Sequence, residues 1–442
     1  MDARGIDASG PKGTCKMKIL VMNLLRAGDV IQTAPMIAAL HEKYPDSQIH
    51  LLVNSSVRTL VDLIPGVKKV HLFDREDLQY SMANPQAPIF QALDKVDHFV
   101  RRMNAENYDE VYNFSQNKLT ALFLTRIHAA RKFGLFFDEL GRPTYSSSWY
   151  RYMNDYIAQG RGEVFHYTDI YRWGAELEVY GDFPSLQSTE SGEAEADQVG
   201  DLSQTVCLQA LSSDVRKNWS FSSWEKSLRE FNILNPGLEY LILAAPGEDT
   251  ELRPLLKKLN DNGLKARVQE CSFAGAFSIL KRCRMAVCVD TSIKHLAAAA
   301  GIPLIEICLG PADFRKSGAY RSDVVILSSK QACYPCSHFQ ACSQKSQICG
   351  ESLNPSAVAL AMHHLDQKNW QGLRTVAQEY LSEIHIYRTS LSTLGWLALP
   401  MDPHQTGWML DSFLSRSSWR LYLSNTHKKH IGEYGTEGLQ LI

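Results

Sequence analysis

No apolar run in this chain reaches the roughly 18 residues that a membrane span requires, and nothing in the sequence reads as a transmembrane helix. A secretory leader is missing as well: Met1 to Thr14 is small, polar and glycine-rich, without an apolar centre. Together these absences point to the cytoplasm. Neither sign of charge dominates, with a formal net charge of -2, so no global field draws in nucleic acid. The first strand-like run is not followed by G-x-G-x-x-G, which disfavours a dinucleotide dehydrogenase, and a Walker A sequence is absent. No two aspartates stand as D-x-D, so that pair is not available to hold a diphosphate through a divalent cation. The 10 cysteines are too few for a disulfide scaffold in 442 residues.

What is present alternates. Lys18 to Asn23 is a short apolar run bounded by polar residues, as in a strand buried on both faces. Helical spacing follows over 30–43, with Pro35 in the early turns where it is tolerated. Strand, helix and strand signals recur at 48–53, 57–63 and 69–73, then a longer helix to Asn104 and a strand at 110–113. This order predicts a parallel sheet covered by helices. Residues 184–204 are polar, acidic and nearly free of large apolar side chains, which predicts a linker. Beyond it the alternation restarts, with strands predicted at 205–210, 240–244, 266–269, 285–289 and 304–308. The expected organisation is a disordered lead over 1–16, an α/β domain over 17–183, the linker, a second α/β domain over 205–369, and a helical extension without strand alternation over 370–442.

Three segments carry candidate chemistry. Leu24 to Thr33 joins the first strand to the first helix, at the strand edge where open α/β sheets bind ligands. Gly28 permits a tight turn there. Asp29 would stand at a helix N-terminus, either as an ionised general base or simply as a cap. Val289 to Ala300 is a strand end, an Asp290-Thr291-Ser292 turn and a helix, whose first backbone N–H groups make an anion site. Lys294 and His295 would add positive charge and donors, unless the helix is an ordinary capped one. Leu211 to Trp219 follows the first strand of the second unit. Its Ser212, Ser213 and Lys217 would reach the same phosphates, or lie in a charged surface loop.

In order and spacing, KILVMNLLRAGDVIQTAPMIAAL, SSDVRKNWSFSSWEKSL and VCVDTSIKHLAAAAGIPLIEICLGPADF resemble the ADP-heptose glycosyltransferase family, which includes the lipopolysaccharide heptosyltransferases. FHYTDIYRWGAE, at 165–176, is similar to the family's segment before the domain crossover. The resemblance covers about residues 17–365. It implies a GT-B architecture, with two facing Rossmann-like domains, and an inverting transfer that requires no metal. Asp29 then matches the base that deprotonates the acceptor hydroxyl. Lys217 matches the phosphate-binding lysine, and Ser212 or Ser213 a phosphate-binding hydroxyl. Asp290 lies near the donor sugar, while Thr291, Ser292 and His295 form the diphosphate turn. Glu251 falls where a nucleoside-binding glutamate is common. The chain departs from the pattern in having Ser292 for a glycine, Lys294 as an additional cation, and Glu306 and Cys308 in a commonly apolar stretch. The implied donor is ADP-heptose, or a similar nucleotide sugar.

In the family the first domain binds the acceptor, which puts Arg26, Gly28 and Lys118 on the acceptor side. Arg101, Arg102, Lys118, Arg126, Arg131 and Lys132 give 100–132 an excess of positive charge, suited to an anionic glycan or an anionic inner-membrane surface, or else to a solvated helix face. Tyr145 to Tyr152 reads as a sugar-stacking or ordinary loop. A surface protein such as an autotransporter also fits as acceptor, and a catalytically silent scaffold is the contrasting class. Cys333, Cys336, Cys342 and Cys349 could hold structural zinc or iron, or stay reduced or pair as disulfides. A metal there would staple a loop apart from the donor chemistry.

Overall fold

The computed structural model describes residues 16–83, 89–158, 160, 163–177, 186–402, 404 and 406–429. The expected lead over 1–16 lies outside the described residues except for Lys16. The first sheet contains β1 (Lys18–Asn23), β2 (Gln48–Asn54), β3 (Val67–Phe73), β4 (Glu110–Asn113) and β5 (Arg131–Phe133), in the order β3-β2-β1-β4-β5. All four pairings are parallel. β1 has Ile19 to Asn23 buried, because helices cover both faces of the sheet. A short antiparallel pair follows, β6 (Leu135–Phe137) and β7 (Pro143–Tyr145).

The second sheet contains β8 (Thr205–Gln209), β9 (Glu239–Ala244), β10 (Lys265–Glu270), β11 (Met285–Val289), β12 (Leu304–Cys308), β13 (Val325–Ser329), β14 (Ile384–Ser392) and β15 (Gly395–Pro400). Its order is β10-β9-β8-β11-β12-β13-β14-β15. The two sheets share one logic: strand order reverses between β1 and β4 in the first, and between β8 and β11 in the second. Connections leave in opposite directions at such a point and open a crevice at the carboxyl ends of the strands. The predicted pair of doubly wound α/β units is therefore present.

The structure differs from expectation in two elements. The acidic stretch 184–204 is not a simple linker: it contains the helix Glu190–Val199, capped by the Thr189 hydroxyl at Gly192 N. Its acidic residues are answered by residues about 80 positions later. Glu193 and Asp197 pair with Arg282, and Glu195 accepts from Ser272. Gly192 lies so close to the Ala274 carbonyl that a Cβ would sit 2.5 Å from it. Small residues here let two helices pack backbone to backbone, a reason that composition alone does not reveal.

The second difference is in 370–442. Helices are present, Trp370–Glu379 and Thr406–Lys429, but between them β14 and β15 form an antiparallel hairpin on the edge of the second sheet. Ile384 and Ile386 alternate inward, and Trp396 is buried. The long final helix returns to the first domain. Arg416 donates to the carbonyls of Val164 (2.9 Å) and Trp396 (3.0 Å), and Trp419 packs on Tyr152 with centroids 4.8 Å apart.

The segment resembling the crossover motif locks the two halves together. Asp169, fully buried, accepts from Tyr320 Oη at 2.6 Å and Trp396 N at 2.7 Å, and pairs with Arg172 at 3.0 Å. His166 reaches the Gly318 carbonyl at 3.0 Å, and burial lowers its imidazole to about 4, so it is neutral at neutral pH. The relative placement of the two switch points thus rests on the buried hydrogen bonds from Tyr320 and Trp396 to Asp169 and between His166 and Gly318, whose partners lie more than 150 residues apart.

Candidate active site

The first-domain side of the site is built on the end of β1. Asn23 donates to the Asp29 carbonyl at 3.0 Å, and the Ser115 hydroxyl after β4 accepts from Leu24 N at 2.8 Å. These bonds shape the loop that leads into the helix Ala27–Ile31. Asp29 stands in the first turn of that helix and its carboxylate accepts from Arg26 N at 3.2 Å. Burial pushes its carboxyl above the ordinary 3.8, against the pull of the Arg26 backbone bond and charge. Asp290 and Lys217 of the second domain are close enough to act on the same carboxyl electrostatically.

Gly28 lies within a helical turn and does not use left-handed backbone. It serves close approach instead. A Cβ there would meet His295 Cδ2 at 3.1 Å and Ser292 Cα at 3.7 Å. The helix after β1 therefore abuts the Asp-Thr-Ser turn directly, and the two switch points face each other.

On the second-domain side, the turn after β8 contributes Lys217 and the turn after β11 contributes Asp290. The Lys217 ammonium donates to Asp290 Oδ2 at 2.6 Å. Lys294, one helical turn beyond Asp290, donates to Asp290 Oδ1 and, at 2.5 Å, to Glu306 Oε1 on β12. Glu306 also accepts from Ala319 N at 2.9 Å and from the Cys308 thiol at 3.3 Å. The four ionic groups alternate in sign along one buried chain, Lys217–Asp290–Lys294–Glu306. Burial alone would raise the Asp290 carboxyl, but the ammonium groups of Lys294 and Lys217 outweigh it and hold it well below its ordinary range. Burial likewise opposes the charge on Lys294, and Asp290 and Glu306 outweigh that, holding it above 10.5.

Two expectations need correction here. Lys294 does not offer its charge to a diphosphate: its side chain is 1% exposed and its ammonium is held between two carboxylates. Turning it outward would strand Glu306, itself 0% exposed, as an unpaired buried charge. Nor does His295 add positive charge. Burial, then the neighbouring Lys294, holds its imidazole well below 6.5, so the ring is neutral.

The orientation of the Gln32 amide bears on the tautomer of the neutral ring. The Thr168 hydroxyl donates to Gln32 Oε1 at 3.1 Å, which turns the Gln32 amide nitrogen toward His295 Nε2 at 3.3 Å. Nε2 is thereby the acceptor and Nδ1 carries the hydrogen. Among the described residues His295 Nδ1 has no hydrogen-bond partner, although it is buried. A buried N–H without a partner is costly unless a ligand takes it. Gln32, Thr168 and Glu306 are the site residues that sequence reasoning missed. Only Glu306 gave a signal, as an acid in an otherwise apolar strand.

The remaining expectations divide. Thr291 caps the helix Ser292–Ala300 through Ile293 N at 3.2 Å. Ser292 stands in the first turn, against Gly28. Ser212 is half-buried beside Lys217 and its N–H donates to Asn218 Oδ1 at 2.7 Å, while Ser213 is exposed. Glu251 is exposed in the first turn of the helix Asp249–Asp261, after β9. Among the described residues no hydrogen bond or ion pair joins its side chain to the Lys217–Glu306 chain. Arg26 is exposed beside Asp29, and Lys118 is exposed at the start of the helix Lys118–Arg126, after β4.

The expected basic face over 100–132 is neutralised in part, at three of its six cations. Arg101 and Arg126 both pair with Asp97, and Arg131 pairs with Glu110 at 2.9 Å and Glu176 at 3.0 Å. Nor do the aromatics of 145–152 form a sugar-stacking loop. Trp149, Tyr150 and Tyr152 are buried in the core, where their area is worth more than at a solvated surface.

The four clustered cysteines are free thiols. Among the described residues no three of these sulfurs lie within 4.8 Å of one another, while Cys333, Cys342 and Cys349 are all electrostatic neighbours of Cys336. The group that meets that spacing is His50, His71 and Glu106. Its Glu106 is paired with Lys69 and Lys18, and its imidazoles share hydrogen bonds with Tyr108 at 3.0 and 2.9 Å. No described helix is long and apolar enough to cross a membrane.

The comparisons agree with this architecture. The chain is 23% identical over 361 residues to lipopolysaccharide heptosyltransferase 1 of Pseudomonas aeruginosa, covering 78% of this chain and 96% of that protein. Among solved structures it resembles the ADP-heptose lipopolysaccharide heptosyltransferase II of Escherichia coli, with a TM-score of 0.57 at 15% identity over 80% of this chain and 99% of that one. It also resembles the glycosyl transferase family 9 protein of Veillonella parvula, with a TM-score of 0.55 at 17% identity over 70% and 85% of the respective chains. The family model of glycosyltransferase family 9 (heptosyltransferase) matches residues 96–347, more than half of the sequence. Two facing Rossmann-like domains of the GT-B type and a matching family model give one conclusion: the chain belongs to glycosyltransferase family 9, the heptosyltransferase family.

Proposed function

We propose that this protein is an inverting heptosyltransferase that transfers a heptose from ADP-heptose to a hydroxyl of a lipopolysaccharide core or related surface glycan, without a metal. The observation that carries this reading is the meeting of the two switch points, with Asp29 on one side and the Lys217–Asp290 pair on the other. Asp29 takes the proton of the acceptor hydroxyl. The oxygen bonds to the anomeric carbon from the face opposite the leaving group, and the bond to the diphosphate breaks with its electron pair on ADP. In-line attack of this kind inverts the anomeric centre. Lys217, the backbone N–H groups at the start of the helix Ser292–Ala300, and the Nδ1–H of His295 supply the positive charge and donors for the departing diphosphate. The lipopolysaccharide heptosyltransferases that the chain resembles, one of them an ADP-heptose enzyme, support this donor and acceptor class.

The test is calorimetric titration with ADP, ADP-heptose, UDP-glucose and GDP-mannose, with EDTA throughout. ADP and ADP-heptose bind, and Lys217→Ala weakens ADP by about 10–100-fold, the worth of one charge-assisted contact. A preference for UDP or GDP would assign a different donor, and failure to bind any nucleotide would sink the reading. Gln32→Leu provides a finer check. It removes the group that fixes the His295 tautomer, and ADP affinity falls by about 2–10-fold with the unfolding midpoint little changed. An unaltered affinity would separate Gln32 from donor binding.

A further inference from the structure

The cysteine-bearing loop does not stand apart from the donor chemistry. Arg216, the residue before Lys217, sends its guanidinium into this loop. It donates to the carbonyls of Ser337 (3.0 Å), His338 (3.4 Å) and Gln340, while pairing with Asp214 at 2.6 Å. From the far end of the loop, the Gln347 amide returns the contact, donating to the carbonyls of Arg216 (2.6 Å) and Asn218 (3.0 Å). Cys336 N donates to the Gly310 carbonyl at 2.9 Å, and Tyr334 Oη to that of Ala312 at 2.7 Å, which ties the same loop to the end of β12. Gly310 is required there. Its φ is +57°, and a Cβ would lie 2.4 Å from the Arg216 carbonyl. The turn that carries Lys217 is therefore gripped from both ends by the loop.

One side chain of the loop is exposed among the charges of the site. The charged neighbours of the His338 imidazole are Lys217, Asp290 and Asp214 of the second domain and Arg26 of the first. The ring thus lies within electrostatic reach of charged groups from both domains.

We propose that His338 is a further donor-contacting residue, whose imidazole N–H meets an oxygen of the nucleoside diphosphate, and that Arg216 is the positioning residue that holds it there. This rests on the donor reading given above and adds to it a second wall for the diphosphate. Lys217 and the Ser292–Ala300 helix form one wall, and the loop closes the other. The carbonyls that Arg216 engages belong to the residues immediately around His338, so the clamp fixes the ring's backbone directly.

The experiment uses the full chain and follows binding of ADP and, in parallel, of adenosine, which lacks the phosphates. With His338→Ala, ADP affinity falls about tenfold, the worth of one hydrogen bond to a charged group, and adenosine binding is unchanged. His338→Gln, which retains an N–H donor, recovers part of the loss. Arg216→Met weakens ADP to a similar extent, and the double variant His338→Ala/Arg216→Met is no weaker than Arg216→Met alone, because both act through one contact. Unchanged ADP affinity in His338→Ala overturns the proposal even if Arg216→Met fails to fold. Equal losses for ADP and adenosine overturn it too, because they would signal a general disturbance of the loop. If the wild-type protein does not bind ADP at all, the donor reading itself fails, a result distinct from either of these.

Discussion

Asp29→Asn lowers the rate of glycosyl transfer by about 10²–10⁴-fold, the usual worth of a positioned general base, and leaves ADP affinity close to that of the wild type. Asparagine is the informative replacement, since its amide oxygen can still accept from Arg26 N, as Asp29 does at 3.2 Å. The helix start is thereby kept and only the basicity is removed. The wild-type rate also depends on pH in a defined direction. A general base acts in its ionised form, and burial raises the Asp29 carboxyl above 3.8. The rate therefore falls on acidification, with its midpoint displaced upward from that of an ordinary aspartate. This acid limb is missing from whatever residual rate Asp29→Asn retains. A variant with wild-type turnover, or one that keeps the same acid limb, would remove Asp29 from the role of base.

The second large effect is on stability. Glu306→Ala leaves the Lys294 ammonium in the interior with half of its compensation gone, a situation that costs about 3–5 kcal/mol. Urea unfolding read by tryptophan fluorescence moves to a lower midpoint. Lys294→Met/Glu306→Gln recovers much of that loss, because it removes both charges together and leaves Asp290 its bond to Lys217. The same chain of charges sets a pH window. Asp290 is depressed in the folded state, so its contribution is present above the unfolded value of about 3.9 and is lost as pH falls below it. Lys294 is raised in the folded state, so its contribution is present below the unfolded value of about 10.4 and is lost as pH rises through the folded one. Stability from this chain is thus greatest between those limits. A Glu306→Ala protein as stable as the wild type would mean that water reaches Lys294, contrary to its 1% exposure.

Lys294→Met also separates two ideas about this position. As an extra phosphate contact, its loss would fall mainly on ADP affinity. As the buried centre of the Asp290–Glu306 chain, its loss falls mainly on stability, which is what the geometry supports.

The sequence by itself determined the two α/β units, the strand ends that face the cleft, and the placement of Asp29, Lys217 and Asp290 on them. These signals are local: apolar runs the length of a strand, helical spacing after them, and short polar turns between. The β1 strand and the Ser292–Ala300 helix follow from fewer than ten consecutive residues each. Everything that depended on the environment of a side chain was left to the tertiary structure. Lys294 and Lys217 look alike in sequence, yet one is enclosed between two carboxylates while the other has a single partner, because Glu306 arrives on a neighbouring strand. His295 is neutral because burial, with Gly28 and Gln32 of the first domain packed against it, and the neighbouring Lys294 both disfavour its charge. The acidic 190–199 stretch is a packed helix because Arg282 and Ser272 wait some 80 residues downstream, and Arg101, Arg126 and Arg131 are paired off by Asp97, Glu110 and Glu176. Periodicity in a chain gives the face a residue lies on. What that face meets, and so whether a charge is spent on a neighbour or left for a ligand, is decided by contacts between segments far apart in sequence.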